Sequence, residues 1–103
     1  MKEITVSELN KILGEVELID VREPDEYLDG HVPGAKLIPL GTVPVRTSEL
    51  DKGKTQYVIC KVGGRSAQAA EFLISQGFDA VNIAGGTMAW LEAGLAVNTG
   101  ELP

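Results

Sequence analysis

The chain has one cysteine, Cys60, and one histidine, His31, and these two scarcities exclude a good deal of chemistry. A lone cysteine forms no internal disulfide, and with a lone histidine it falls short of the usual three or four protein ligands of a zinc site, so no metal site is expected. Dithiol oxidoreductases are excluded as well, because any redox or sulfur chemistry must take its second participant from outside the chain. Positive charge is also scarce. Nine Lys and Arg stand against fifteen Asp and Glu, a formal charge of -6, which argues against nucleic acid or an anionic membrane as the main partner. A small anionic substrate would meet mild long-range repulsion and would need a local cationic pocket. No run approaches the roughly 18 apolar residues of a membrane span, and MKEITVSELNK places charges where a secretory apolar region would lie. A cytoplasmic protein is the expectation. The sequence shows no repeat, low-complexity block or interdomain linker.

What is present suits a single domain over 1–103. A chain of 103 residues is long enough for one core but not two, and 44% hydrophobic with 23% charged residues is ordinary for a folded protein. EITV, Glu3 to Val6, reads as a first strand, after which Ser7 caps a helix through Leu13 that Gly14 ends. VELIDV, Val16 to Val21, is a nearly continuous apolar strand ending in the polar Asp20 and Arg22. Pro24 opens a brief helix with Asp25 and Glu26 in its first turn, and Gly30 closes it. The turn HVPGA leads to a strand KLIPL, and the following loop carries one short helix near Ser48 to Leu50. TQYVIC is a strand, SAQAAEFLISQG a helix, DAVNIAGG a strand with a glycine turn, and MAWLEAG a last helix. About 97–103 is expected as a loosely held tail. Strands alternating with helices predict βαβ units, a parallel sheet, and a ligand site at the carboxyl ends of the strands.

Cys60 falls at such an end, in CKVGGRS, where a thiol, two glycines and two cations share one turn. The following helix directs its unpartnered first N–H groups towards that turn, which favours an anion there, and a thiolate is one. Gly63 and Gly64 allow the positive φ that a tight cradle needs. Bringing a cysteine from pKa about 8.5 to about 6.5 takes about 2.7 kcal/mol. A helix terminus alone gives about 0.3–1 kcal/mol. Several loop amides, with Lys61 or Arg65, must supply the rest, in electropositive and partly exposed surroundings. The plainer alternative makes Cys60 a small buried residue that ends a core strand.

With these residues in view the chain resembles a known family. LIDVREPDEYLDGHVPGAKLIPL, Leu18 to Leu40, is similar to the N-terminal signature of rhodanese domains. VICKVGGRSAQAAEFLISQGF and NIAGGTMAWLEAGLAV resemble their active loop and C-terminal signature. The resemblance covers nearly the whole chain and implies a rhodanese-like α/β fold, a central, mainly parallel five-stranded sheet with helices on both faces. It implies sulfurtransferase activity through a Cys60 persulfide: sulfane sulfur passes from thiosulfate or a similar small anionic donor to an unidentified thiol or protein acceptor, cyanide serving in vitro. No cofactor is called for. Backbone amides of Lys61, Val62, Gly63, Gly64, Arg65 and Ser66 would cradle the sulfur, and Lys61 and Arg65 would bind the donor's sulfonate oxygens.

Other residues divide between function and structure. Lys61 and Arg65 could equally be a solvated pair beside a helix start. Asp20 and Arg22 are candidates for a supporting role at the site, against the alternative that Arg22 pairs with Glu26 to tie strand to helix. His31 invites a general-base role, but it lies in a turn that the resemblance marks as structural, and Trp90, Phe72 and Phe78 read as core. A cysteine phosphatase or arsenate reductase is the rival enzyme class. Those families place five residues between cysteine and arginine where this chain places Lys61, Val62, Gly63 and Gly64, a cradle shorter by about 3.5 Å of chain. A non-catalytic rhodanese-like interaction or regulatory module is the rival from another class, and the presence of the cysteine, the glycines and Arg65 argues against it.

Overall fold

The computed structural model describes all residues, 1–103. Five strands, β1 (Lys2–Ile4), β2 (Glu17–Asp20), β3 (Lys36–Leu37), β4 (Gln56–Ile59) and β5 (Ala80–Ile83), pair in the order β1-β5-β4-β2-β3, and every pairing is parallel. The helices are α1 (Val6–Ile12), α2 (Pro24–Asp29), α3 (Val43–Arg46), α4 (Gly64–Ser75) and α5 (Gly86–Glu92). In a parallel sheet covered on both faces, successive residues of a strand serve different cores. Ile19, Val58, Cys60 and Ala80 join Ala69, Ala70 and Leu73 of α4 and Val43 of α3 in one cluster. Leu18, Ile59 and Ile83 join Leu9 of α1, Tyr27 of α2 and Trp90 of α5 in the other. Helices therefore lie on both faces, and Cys60 belongs to the α3–α4 side.

Several boundaries differ from expectation for local reasons. The first helix starts two residues earlier than Ser7 as a cap suggests: Thr5 is its cap, its hydroxyl accepting from the Glu8 amide while the Glu8 carboxylate accepts from the Thr5 amide. The first strand accordingly ends at Ile4. β3 is only two residues long, because Pro39 has no N–H for a ladder and opens a 3₁₀ turn, Leu40–Thr42, that runs into α3. The short helix expected near Ser48 is a 3₁₀ turn, Thr47–Glu49, and the helical turns before it carry no strong signal of their own. α5 begins at Gly86, before the MAWLEAG segment.

The C-terminal segment is held more closely than a loose tail would be. Asn98 forms an antiparallel bridge with His31, the Gly100 amide donates to the Leu28 carbonyl, and the Asn98 side chain donates to the Pro103 carbonyl. His31 is wholly buried and stacked on Tyr27 with ring centroids 3.6 Å apart. Its Nδ1 lies 2.8 Å from the Tyr27 carbonyl oxygen and its Nε2 2.8 Å from that of Leu102. The histidine is thus a structural clasp far along the chain from Cys60, as the turn reading implies. Phe78 and Trp90 are buried, whereas Phe72 is only half-buried and rests against the α4-side core.

Candidate active site

β4 ends at Ile59, and Cys60 is the next residue, so the sheet delivers its sulfur to the carboxyl edge where α4 begins. Gly63 is the residue before α4 and has φ +115°, a left-handed conformation that a side chain would strain. That conformation turns its amide back onto Cys60: the N–H donates to Sγ at 3.0 Å. The Ser66 hydroxyl, in the first turn of α4, lies 3.2 Å from the same sulfur. Of the six amides nominated from the sequence, that of Gly63 is the one hydrogen-bonded to the sulfur.

Cys60 is only 1% exposed, which corrects the expectation of a partly exposed thiol. Burial by itself pushes the thiol up. The Ser66 hydroxyl and the amides of Ser66, Gly63 and Val62 outweigh it, and the net result is a thiol more acidic than an ordinary cysteine. The two readings of Cys60 therefore merge, since it both ends a core strand and receives an anion cradle.

The cations behave differently from one another. Lys61 is exposed and has no carboxylate within ion-pair distance. Arg65 donates through both terminal nitrogens to Glu26 of α2, at 2.7 and 2.9 Å. This bond holds the Glu26 carboxyl at about 2, and the guanidinium is correspondingly raised. The expected pairing of Arg22 with Glu26 does not form. Arg22 turns inward and donates to Asp20, with Nη2 to Oδ2 at 2.8 Å, and its Nη2 also donates to the Gly30 carbonyl. Asp20 is fully buried and Arg22 nearly so. This pair is a brace between the end of β2 and the end of α2, with no contact to the sulfur.

Two features of the site have no counterpart in the sequence reading. The first is α5. Thr87 donates from its amide and its hydroxyl to the Cys60 carbonyl, and the Met88 amide donates to the Lys61 carbonyl. Gly86 makes that approach possible, because a Cβ there would lie 2.6 Å from both carbonyl oxygens, at φ +59°. The second is Asn82, buried in the middle of β5, whose Oδ1 is 2.5 Å from the Ser66 hydroxyl and whose Nδ2 donates to Glu3 Oε2 at 2.7 Å and to the Gly63 carbonyl at 3.3 Å. A polar residue in an otherwise apolar strand was the available signal for it; the GG doublet was the signal for Gly86.

Arg22, Glu26 and Asp29, with Lys61, Thr87 and Met88, line a shallow depression of about 200 Å³ beside the loop, so Arg22, a candidate from the sequence, borders it. A larger hollow of about 340 Å³, lined by Leu40, Val43, Pro44, Ala69 and Phe72, opens on the α3–α4 side and includes no residue of the turn Cys60 to Ser66. No helix is long and apolar enough to cross a membrane.

A family description, rhodanese-like domain, matches residues 5–93. A protein named sulfurtransferase from Allochromatium vinosum is 36% identical over 101 residues, covering 94% of this chain and 94% of its own length. A chloroplastic rhodanese-like/PpiC domain-containing protein of Arabidopsis thaliana is 46% identical over 101 residues, but the match spans 87% of this chain and 34% of that protein. Among solved structures, a rhodanese-like domain protein from Staphylococcus aureus superposes with a TM-score of 0.87 at 41% identity, covering 96% of this chain and all of its own.

Proposed function

The chain belongs to the rhodanese-like domain family, among its sulfurtransferases, and we propose that it moves a sulfane sulfur from thiosulfate or a similar donor to a thiophilic acceptor through a persulfide on Cys60. The observation that carries this reading is the convergence of the Gly63 amide and the Ser66 hydroxyl on one buried sulfur, whose acidity is raised.

In the first half-reaction the Cys60 thiolate attacks the outer sulfur of thiosulfate. The donor's S–S bond breaks, sulfite leaves with the bonding pair, and a cysteine persulfide remains. In the second, an acceptor nucleophile attacks the outer sulfur, cyanide in the test tube or a thiol in the cell, and the Cys60 thiolate departs with the electron pair. Negative charge stays on sulfur beside the same amides throughout, so the dipoles that hold the resting thiolate need little reorganisation. Such shuttling gives ping-pong kinetics. The burial of Cys60 suits a donor that offers a protruding terminal sulfur, with its oxygens left at the loop surface. There Lys61 provides an unpaired cation, and Arg65 a guanidinium shared with Glu26. An unpaired reactive thiol also fits a reducing compartment, and we assign the protein to the cytoplasm on that ground.

Intact-mass measurement after thiosulfate treatment tests the reading. One added sulfur, about 32 Da, removable by cyanide and absent from Cys60→Ser, is the expected outcome. A mass unchanged by thiosulfate and by other sulfane donors would overturn it.

A further inference from the structure

Ser66 has one hydroxyl proton and two buried acceptors within reach, Asn82 Oδ1 at 2.5 Å and Cys60 Sγ at 3.2 Å. Only one can receive it at a time. Asn82 cannot solve the conflict by turning its amide over, because the other end of that amide faces two acceptors, the Glu3 carboxylate at 2.7 Å and the Gly63 carbonyl at 3.3 Å. With Nδ2 held there, Oδ1 must face Ser66. In the thiol form the bonds therefore run in one direction: Cys60 S–H to Ser66 Oγ, Ser66 O–H to Asn82 Oδ1, Asn82 N–H to Glu3. When the thiol proton leaves to solvent, the Ser66 hydroxyl must swing to the sulfur and leave Asn82 Oδ1 without its donor.

From this geometry we infer that Asn82, oriented by the carboxylate of Glu3 on the edge strand β1, is a positioning residue that competes with Cys60 for the Ser66 proton and so restrains the acidity of the thiol. Asn82 is 1% exposed, whereas Glu3 is exposed. A surface carboxylate thus communicates with a buried sulfur through two intervening side chains. The other charges around the sulfur are Lys61 and Arg65 in the turn, Glu26 on α2, which Arg65 already occupies, and, at the end of the adjacent strand β2, Asp20 in register with Ile59 and paired with Arg22. Neither β4 nor β5 carries a charged side chain, and the nearest acid of α4 beyond the first turn is Glu71.

The test is a titration of the thiol, read from the Cys60 thiolate absorbance or the Cys60 Cβ chemical shift, and it needs no sulfur donor. Its outcome is therefore independent of whether the transfer reaction proposed above is right, although its importance for turnover rests on that reading. Glu3→Ala removes the shorter of the two bonds that hold Nδ2 and leaves only the 3.3 Å one to the Gly63 carbonyl, so the hold on Asn82 weakens, Oδ1 competes less for the Ser66 proton, and the hydroxyl serves the sulfur more. The midpoint should move to lower pH by on the order of half a unit. Asn82→Leu removes the competitor and should move it the same way. The double variant should titrate like Asn82→Leu alone, because both changes act on one bond.

A purely Coulombic effect of Glu3 would also acidify the thiol in Glu3→Ala, but it would add fully in the double variant and shrink in concentrated salt. Should Asn82→Leu not fold, Glu3→Ala at low and at roughly 1 M salt decides the matter, a salt-resistant shift supporting the relay. A midpoint that stays in place or rises in Glu3→Ala, a shift fully additive in the double variant, or one abolished by salt would each overturn the proposal.

Discussion

Two buried polar clusters lie at the carboxyl edge of the same sheet, and they differ in how their donors and acceptors balance. In the Asp20–Arg22 cluster every acceptor is engaged: both carboxylate oxygens and the Gly30 carbonyl accept from the guanidinium, and the Arg22 amide also donates to Asp20, while Arg22 Nη1 keeps no protein partner. In the Cys60–Ser66–Asn82 cluster one hydroxyl proton faces two acceptors. A cluster whose acceptors are all engaged fixes the ends of elements. An unsaturated one can change its bonds when a proton or an electron pair moves, which is what the proposed alternation of thiolate and persulfide on Cys60 requires. Burial is similar at the two places, and the count of protons separates brace from chemistry.

The sharpest way to break the comparison is Cys60→Ser. Sulfur transfer should vanish while the unfolding transition stays close to that of the parent, and residual turnover above background with the serine protein would remove the persulfide from the mechanism. The converse is Asp20→Ala, which strands Arg22 as a buried charge. It should destabilise the fold by about 3–5 kcal/mol in denaturant titrations. Replacing both partners, Asp20→Leu with Arg22→Met, should recover much of that loss; if the single change is as mild as an ordinary surface substitution, the pair is not the brace described.

Ser66→Ala touches only the unsaturated cluster. Loss of a hydrogen bond to a charged sulfur, about 1.5–3 kcal/mol, should raise the thiol's titration midpoint and slow persulfide formation at neutral pH by about tenfold or more. A rate restored at alkaline pH would attribute the loss to thiolate population, and one that stays low at every pH would attribute it to geometry. Glu26→Gln should have the smallest effect. Its ion pair with Arg65 is half-exposed, so the stability loss should be below about 1 kcal/mol. With Arg65 released, KM for thiosulfate should fall by about two- to fivefold at unchanged kcat, in steady-state assays. The pH dependence has a definite sign: Glu26 sits at about 2 against an ordinary 4.5. The pair's contribution is therefore complete above pH 4.5 and lost as pH falls towards 2, and the difference in Tm between parent and Glu26→Gln should close over that interval.

The legibility of this chain follows sequence distance. Strand and helix alternation, the parallel sheet, and the turn at Cys60 are local patterns, and each was readable because its cause lies within a few residues: β-branched runs, glycines, a helix start. What escaped was supplied from far away. Glu26 reaches Arg65 across 39 positions and Glu3 reaches Asn82 across 79, and nothing in CKVGGRS announces either. The distinction between Lys61 and Arg65 was invisible for this reason, whereas Arg22 turns to partners close in sequence, Asp20 and Gly30, while the distant Arg65 takes Glu26. The depth of Cys60 was missed on other grounds, since an electropositive turn suggests access, whereas the residue's other role as the cap of a core strand draws it under the surface. The tail was misjudged because its anchor is a histidine clasp and not an apolar run.

One contact made possible by a missing methyl group extends beyond the reaction itself. Because Gly86 lets the last helix rest directly on the peptide groups of Cys60 and Lys61, the backbone beneath the reacting atom is held by a segment on the far side of the chain's order. Mechanical disturbance of that helix, by a docked macromolecule or a bulky label on its outward-facing Met88 or Leu91, is thereby conveyed to the sulfur without anything entering the loop. The helix is the natural handle by which a visitor too large for the site could still adjust it.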